Sequence, residues 1–262
     1  MEHAASGGDG PPPAESGGYE PALVGQQTRE NTTNRWKGTP LREADLPTAM
    51  IIGASRGIGL ELARQYAAAG WRVHATTRTP AQPGALGAIG GEMVIHALDV
   101  CHAPQLETLV QAVTTEGIDV LIHNAGVAGR GMDAAEVRRI NTDAPLRVTQ
   151  ALLPAVTRSS EKKLVLVTSQ LGARRGRTGS LGLYGDSKAA LNDAFRAHVP
   201  AWGRGGLVAI VMHPGWVRTD MGGAMAPLSV EESVRGMREV IARLTPAEHG
   251  RFWTWEGREH PW

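Results

Sequence analysis

The sequence is short of cysteine and of aromatic residues. Its 262 residues include one cysteine, Cys101, three tyrosines and two phenylalanines. A single cysteine excludes an intramolecular disulfide and fits a reducing compartment, so we expect a cytoplasmic protein. No apolar run approaches the roughly 20 residues that a membrane helix needs. A membrane-spanning protein is therefore not expected.

The sequence also lacks an excess of charge of either sign. Its 27 Lys and Arg residues balance 26 Asp and Glu residues, which leaves a net charge of +1. Proteins that bind nucleic acid usually carry a clustered basic face. We therefore expect no nucleic-acid partner, and no metal-ligand set is predicted.

The first 47 residues differ in composition from the rest. They contain seven glycines and six prolines, a level associated with disorder. They lack the apolar core of a signal peptide and carry too many acidic residues for a transit peptide. We expect residues 1–47 to be a disordered tail, either functional or the product of an over-extended start.

From Thr48 onward, apolar strands alternate with helical segments. Strands are predicted at 48–52, 71–77, 92–100, 118–126, 163–169, 207–215 and 251–257, and helices at 55–70, 104–117, 133–156, 184–203 and 231–244. Such alternation predicts a parallel sheet covered on both faces. We expect one α/β domain over 48–262, a doubly wound parallel sheet (Rossmann fold), with ligands at the C-terminal ends of its strands.

A glycine-rich turn, GASRGIG, lies between the first strand and the first helix. Glycines let a backbone approach a pyrophosphate, whose charge the amides of a helix N-terminus can meet. Such a turn can also serve packing alone, but this position favours dinucleotide binding. The predicted contacts are Gly53, Ser55, Arg56, Gly57, Ile58 and Gly59.

The end of the second strand bears on which nicotinamide cofactor is bound. An acid there would select NAD through the ribose hydroxyls, whereas an arginine accommodates a 2′-phosphate. The strand ends Thr76-Thr77-Arg78 without an acid, and Arg56 lies inside the glycine turn. These two arginines predict NADP(H) over NAD(H); the alternative is that Arg78 is a solvated loop residue.

Three further segments carry candidate catalytic side chains. Tyr184 and Lys188 are four residues apart, so they share one helix face, where an ammonium would lower the phenol pKa from about 10. Ser169 ends a predicted strand and can stabilise charge on a carbonyl oxygen; the alternative is a turn or capping serine. Asn141 lies inside a predicted helix, where asparagine is a modest helix former. This predicts a specific bond, unless Asn141 is a surface or capping residue.

Together these motifs resemble the short-chain dehydrogenase/reductase family. The glycine turn, HNAG at 123–126, Asn141, Ser169 and Tyr184-x-x-x-Lys188 match its order and spacing over roughly 48–220. HPGWVRTDMGG at 213–223 and the final GRFWTWEGREHPW resemble its C-factor and sniffer-like carbonyl reductase branch. The family more often has asparagine where His123 stands, so we expect His123 to be structural rather than a catalytic base.

The resemblance implies an NADP(H)-dependent oxidoreductase that interconverts a small-molecule aldehyde or ketone and its alcohol. In that reading Tyr184 exchanges the proton, Ser169 bonds the carbonyl oxygen, Lys188 tunes the phenol and bonds the nicotinamide ribose, and Asn141 holds a water. It implies a homodimer or homotetramer through the helices that start near Asp133 and Tyr184. It also implies cofactor contacts from Asp99, Val100, Asn124, Ala125, Gly126, Tyr184, Lys188, Pro214, Gly215, Trp216, Val217 and Thr219. Asp99 would fit a helix cap equally well.

The substrate is not identified by the sequence. The three arginines within 174–177 would suit an acidic substrate, but a solvated loop or a subunit contact is favoured. Of the tryptophans near the C-terminus, we expect Trp253, Trp255 and Trp262 to pack rather than line a pocket. The alternatives to a carbonyl reductase are a dinucleotide-binding signalling protein of the C-factor type and, less favoured, an epimerase-like relative.

Overall fold

The core is a seven-stranded sheet. The structure, a computed structural model, describes residues 46–174, 179–180 and 182–262, so nearly all of the predicted tail lies outside it. The strands are β1 Thr48–Ile52, β2 Arg72–Thr77, β3 Met93–Ala97, β4 Val120–His123, β5 Lys163–Val167, β6 Val208–His213 and β7 Phe252–Thr254. They lie in the order β3-β2-β1-β4-β5-β6-β7, and neighbouring strands pair in parallel. The predicted doubly wound parallel sheet in a single domain is confirmed.

Helices cover both faces of the sheet. They are α1 Gly57–Ala68, α2 Ala103–Ala112, α3 Ala134–Arg138, α4 Ala144–Arg158, α5 Gly182–Arg204 and α6 Val230–Arg243. Successive strand residues point to opposite faces, so Ile51 and Ile122 pack in the core under α1 and α6. Met50 and Leu121 pack in the core under α2, α4 and α5. Every residue of β1, β4, β5 and β6 is buried, as a parallel sheet covered on both sides requires.

The largest difference from the predicted helices is a break within one of them. The single helix predicted over 133–156 is wrong, because a π-helical turn, Arg139–Asp143, separates α3 from α4. Pro145 has no N–H and so cannot donate to the carbonyl of Asn141 four residues earlier. Single π turns are frequent at functional sites. The turn places Asn141 in the interior, fully buried.

The candidate site lies at the C-terminal edge of the sheet. There the chain runs outward from β1 to β2 and β3 on one side and continues through β4 on the other. Doubly wound folds bind ligands in the crevice at this reversal of strand order. The segments that follow β1, β4, β5 and β6 therefore meet at one edge.

Membrane insertion has no support in the described part of the chain. None of the helices within 46–174 and 182–262 combines the length and the hydropathy that a membrane crossing requires.

Candidate active site

The glycine turn packs tightly against the loop that follows β4. A Cβ on Gly59 would overlap the carbonyl oxygen of Gly53 and lie 2.6 Å from Nδ2 of Asn124. Gly53 has a φ of +84°, and a Cβ there would lie 2.8 Å from the Cα of Ala125. Larger residues would therefore force the turn away from β4. This packing leaves the backbone of the turn exposed to a ligand.

The N-terminus of α1 is free to receive an anion. Among the residues that the structure describes, no side chain caps it, and its first turn contains no acidic residue. The uncapped amides carry the positive end of the helix dipole, which suits a pyrophosphate. Such a cradle fits the dinucleotide predicted from the sequence.

Arg56 lies in the glycine turn, and Arg78 follows β2, whose Thr76 accepts a hydrogen bond from the amide of Gly53 at 2.9 Å. The Arg56 side chain is 75% exposed, and its Nη1 lies 3.0 Å from Oδ2 of Asp220. Arg78 follows β2 directly and is exposed. Both guanidinium groups are accessible from solvent.

The loop after β4 is held to β1 by its backbone. The amides of Asn124 and Ala125 both donate to the carbonyl of Ile52, at 3.0 and 2.9 Å. The Asn124 side chain donates to the carbonyl of Gly53 at 2.9 Å. These bonds end β4 at His123 rather than at the predicted residue 126. Asn124 thus joins the loop to the glycine turn.

His123 is buried and neutral. Burial, together with the nearby charge of Lys188, lowers the pKa of His123 to about 3. Within the described residues its Nε2 has no hydrogen-bond partner. An imidazole with so low a pKa is a poor base at neutral pH.

Ser169 adjoins the Tyr184 side chain. Burial raises the pKa of Tyr184, and the bond from Ser169 offsets part of that rise. The lowered phenol pKa expected from the sequence is therefore not found in the protein alone, where burial has the largest effect on the phenol. Ser169 also caps the 3₁₀ turn Gln170–Gly172, accepting from the amide of Leu171 at 3.1 Å. The capping role of this serine is confirmed, and its role at a carbonyl oxygen stays a prediction.

Lys188 lies beneath the tyrosine on the same helix. Its Nζ is 5.8 Å from the centroid of the Tyr184 ring and donates to the carbonyl of Val167 at 2.9 Å. The side chain is buried, and burial lowers the pKa of Lys188 to about 8. At pH 7 the group is therefore still a cation in the larger part of the molecules.

Asn141 joins the loop after β4 to α5. Its Oδ1 accepts from the amide of Val127 at 2.9 Å, and its Nδ2 donates to the carbonyl of Val127 at 2.8 Å and to Oγ of Ser187 at 3.0 Å. A Cβ on Gly126 would lie 3.1 Å from Oδ1 of Asn141 and 3.6 Å from Nζ of Lys188. Asn141 is a buried connector, not a surface or capping residue.

Asp99 and Val100 lie after β3. Oδ1 of Asp99 accepts from the amide of Cys101 at 2.8 Å, and the carbonyl of Val100 accepts from Arg147 at 2.6 Å. The helix-cap alternative for Asp99 is wrong, because the residue that caps α2 is His102.

The segment after β6 folds back over the site. The carbonyl of Pro214 accepts from Ser233 at 2.6 Å, and Gly215 has a φ of +90° beside Leu228 and Trp255. Val217 pairs with Leu228. Thr219 rests on the glycine turn, with its Cγ2 3.3 Å from where a Cβ on Gly57 would stand.

Some of the tryptophans near the C-terminus pack on the core, and others line a cleft. Trp216 is 56% exposed and shares an open cleft of 340 Å³ with Trp255, Pro227, Leu228 and Glu232. Trp253 packs on the core under α1 and α6, and Trp262 packs on Phe195 and Phe252. Trp255 thus both packs and lines the cleft, whereas packing alone was predicted.

The arginine loop is described only in part. Arg174 lies 3.0 Å from Asp193 in an exposed ion pair. Arg175 and Arg177 lie outside the described residues.

Sequence reasoning missed two residues that support the catalytic set. Gly172 packs on α5, where a Cβ would lie 2.7 Å from the carbonyl carbon of Lys188. Asn192 accepts from Thr168 at 2.7 Å and donates to the carbonyl of Gly172 at 3.3 Å. The available signal was spacing, since Asn192 continues the four-residue steps from Tyr184 through Lys188.

Comparison with known proteins agrees with this geometry. The family model described as "short chain dehydrogenase" matches residues 47–227. The chain is 43% identical over 159 residues to the C-signal of Myxococcus xanthus, covering 57% of this chain and 96% of that protein. The NADPH-bound carbonyl reductase from chicken fatty liver is 29% identical with a TM-score of 0.73, covering 83% of this chain and 99% of the other. The carbonyl reductase Sniffer of D. melanogaster is 27% identical with a TM-score of 0.74, covering 83% and 100%.

Proposed function

The chain belongs to the short chain dehydrogenase family, as an oxidoreductase of the C-factor and sniffer type, and we propose that it is an NADP(H)-dependent carbonyl reductase. Its reaction is the reduction of an aldehyde or ketone to an alcohol, or the reverse. The observation that carries this proposal is the placement of Tyr184 beside Ser169, with Nζ of Lys188 5.8 Å from the centroid of the tyrosine ring. These groups lie at the same edge of the sheet as the glycine turn.

The side chains divide the proton chemistry among them. Ser169 donates to the carbonyl oxygen as negative charge develops there. The Tyr184 hydroxyl gives its proton to that oxygen, and the Lys188 ammonium stabilises the phenolate that remains. Because burial raises the pKa of Tyr184, the phenol is protonated at neutral pH and can act as the proton donor in the reduction. The nicotinamide, when bound, supplies or accepts the hydride.

The cofactor contacts proposed here follow from the sequence prediction and the cradle. The pyrophosphate is assigned to the amides of the glycine turn and the uncapped N-terminus of α1. Asp99 and Val100 are assigned to the adenine, and the loop after β4, Lys188 and the segment from Pro214 to Thr219 to the nicotinamide half. NADPH bound to the related chicken carbonyl reductase supports a nicotinamide dinucleotide as the cofactor.

The preference for NADP(H) is assigned to Arg56 and Arg78. Both are exposed cations beside the cradle, and β2 ends without an acid. We expect Arg56→Ala and Arg78→Ala each to weaken NADPH binding while NADH binding stays unchanged. Dissociation constants for both cofactors measure this. A preference that neither substitution alters would refute the assignment.

Turnover is tested with NADPH and a panel of aldehydes, ketones and quinones. We expect NADPH oxidation by the wild type and its loss in Tyr184→Phe, with NADPH binding retained. Tyr66→Phe is the matched control, because it removes a buried phenol hydroxyl from the core under α1 and α6. Activity in Tyr184→Phe equal to the wild type would contradict the proton-transfer role.

A second candidate function is dinucleotide binding in signalling. The 43% identity to the C-signal of Myxococcus xanthus favours it. In that case NADPH binds but no carbonyl is turned over faster than in Tyr184→Phe. The same assay therefore separates the two candidates.

Three expectations from the sequence stay predictions. They are a homodimer or homotetramer through the helices that start near Asp133 and Tyr184, a cytoplasmic location, and a disordered tail at 1–47 ahead of a catalytic domain at 48–262. Light scattering on the purified chain tests the first, and imaging of a tagged chain tests the second. Proteolysis followed by mass spectrometry tests the third.

A further inference from the structure

An ion pair bridges the glycine turn and the segment after β6. Nη1 of Arg56 lies 3.0 Å from Oδ2 of Asp220, although 164 positions separate them in the chain. The neighbouring Thr219 rests against the same turn, over Gly57. The Asp220 carboxylate therefore fastens this segment to the residue proposed to receive the 2′-phosphate.

The segment that carries Asp220 is held by its own hydrogen bonds. Nε1 of Trp216 donates to the carbonyl of Gly222 at 2.9 Å, and the amide of Gly222 donates to Oγ1 of Thr219 at 3.1 Å. Arg218 donates to the carbonyl of Pro227 at 2.7 Å. These bonds set the position from which Asp220 reaches Arg56.

We propose that Asp220 is a specificity-determining residue for the dinucleotide. Its carboxylate is paired with the Arg56 guanidinium, and a 2′-phosphate must compete with it for that group. The inference rests on the proposed function, in which Arg56 binds that phosphate. Two effects act in the same direction: the ion pair is lost, and the carboxylate repels a phosphate of about −1.5 to −2 charge. A dinucleotide without the 2′-phosphate neither breaks the ion pair nor is repelled by the carboxylate. Asp220 thus weakens binding of NADP(H) and leaves NAD(H) unaffected.

The same exchange acts on the segment that borders the open cleft of Trp216 and Trp255. Trp216 lies on the fastened segment and lines the cleft with Trp255. NADP(H) frees this segment from Arg56, whereas NAD(H) leaves it fastened.

The expected effect is small because the pair is exposed. The side chains of Arg56 and Asp220 are 75% and 77% accessible, and exposed pairs are weak in water. For Asp220→Asn we expect the dissociation constant of NADPH to fall about two- to tenfold. The exposure of Asp220 also means that the variant should fold normally.

The test is calorimetric titration of Asp220→Asn with NADPH, NADH, 2′,5′-ADP and 5′-AMP. The two ligands with a 2′-phosphate should bind more tightly, and the two without it should bind as to the wild type. Glu259→Gln is the matched control, since it breaks the exposed Arg251–Glu259 pair, at 2.8 Å, with the same change of charge. It should leave all four constants unchanged. In an Arg56→Ala background, most of the effect of Asp220→Asn should disappear.

Several results would overturn the inference. They are unchanged or weaker binding of NADPH by Asp220→Asn, an equal gain for NADH, and an undiminished gain without Arg56. A wild type that binds neither dinucleotide would refute the proposed function itself, and this inference with it. That failure differs from the others because it is visible before any substitution is made.

Discussion

Replacing Asn141 by alanine should destabilise the fold and disable the site together. The fully buried side chain makes two hydrogen bonds with the backbone of Val127 and one with Ser187. Ser187 keeps its bond to the carbonyl of Tyr184, at 2.7 Å, but the amide and carbonyl of Val127 lose their partners. Each fully buried group left unpaired costs about 1–3 kcal/mol, and the lower half of that range suits half-buried Val127, against a helix-propensity gain of about 0.5 kcal/mol. We expect a net loss of about 1.5–3.5 kcal/mol in the free energy of unfolding.

Urea unfolding followed by tryptophan fluorescence measures this loss. Thr142→Val is the matched control, because the neighbouring buried hydroxyl makes a single bond, to the carbonyl of Ser187 at 2.9 Å. Its loss should cost about 1 kcal/mol and leave kcat unchanged. Asn141→Ala should lower kcat even where the chain is fully folded, since Lys188 and the loop after β4 lose their connector. A cost no larger than that of Thr142→Val would refute this reasoning.

Two further predictions concern the turn and the buried histidines. Gly59→Ala should abolish dinucleotide binding, because its Cβ would overlap the carbonyl oxygen of Gly53. The control is Gly117→Ala, whose Cβ would make an ordinary contact at 3.5 Å. Equal dinucleotide binding by the two variants would contradict this prediction. The pKa values of His96 and His213 are lowered to about 4 and that of His123 to about 3, so the unfolded chain binds more protons below about pH 6.5. The free energy of unfolding should therefore fall as pH drops from 7 to 5. His123→Asn should make that slope shallower in urea titrations, and an unchanged slope would argue against the buried neutral imidazole.

The sheet and the glycine turn could be predicted because their signals are local. Strand length, alternation with helices and the position of GASRGIG are all visible in short windows of sequence. The catalytic set was predicted from family resemblance as well as spacing, because Ser169, Asn141 and Tyr184 come from separate elements. No local pattern says that they meet.

The remaining features depend on tertiary packing. The π turn follows from Pro145 together with the buried bonds of Asn141 to Val127, which lies fourteen residues earlier. The raised pKa of Tyr184 follows from burial, which spacing to Lys188 cannot reveal. The pairing of Arg56 with Asp220 joins residues that lie 164 positions apart in the chain, and no sequence pattern predicts it.

Hydride transfer to a carbonyl is the central claim, and isotope transfer measures it directly. NADPH deuterated at the reactive C4 position is incubated with the wild type and the carbonyl substrate that gives the fastest turnover. We predict deuterium on the carbinol carbon of the product with the wild type, and its near-complete loss with Tyr184→Phe at saturating NADPH. NADPH binding without transfer of deuterium to any carbonyl in the panel would contradict the account.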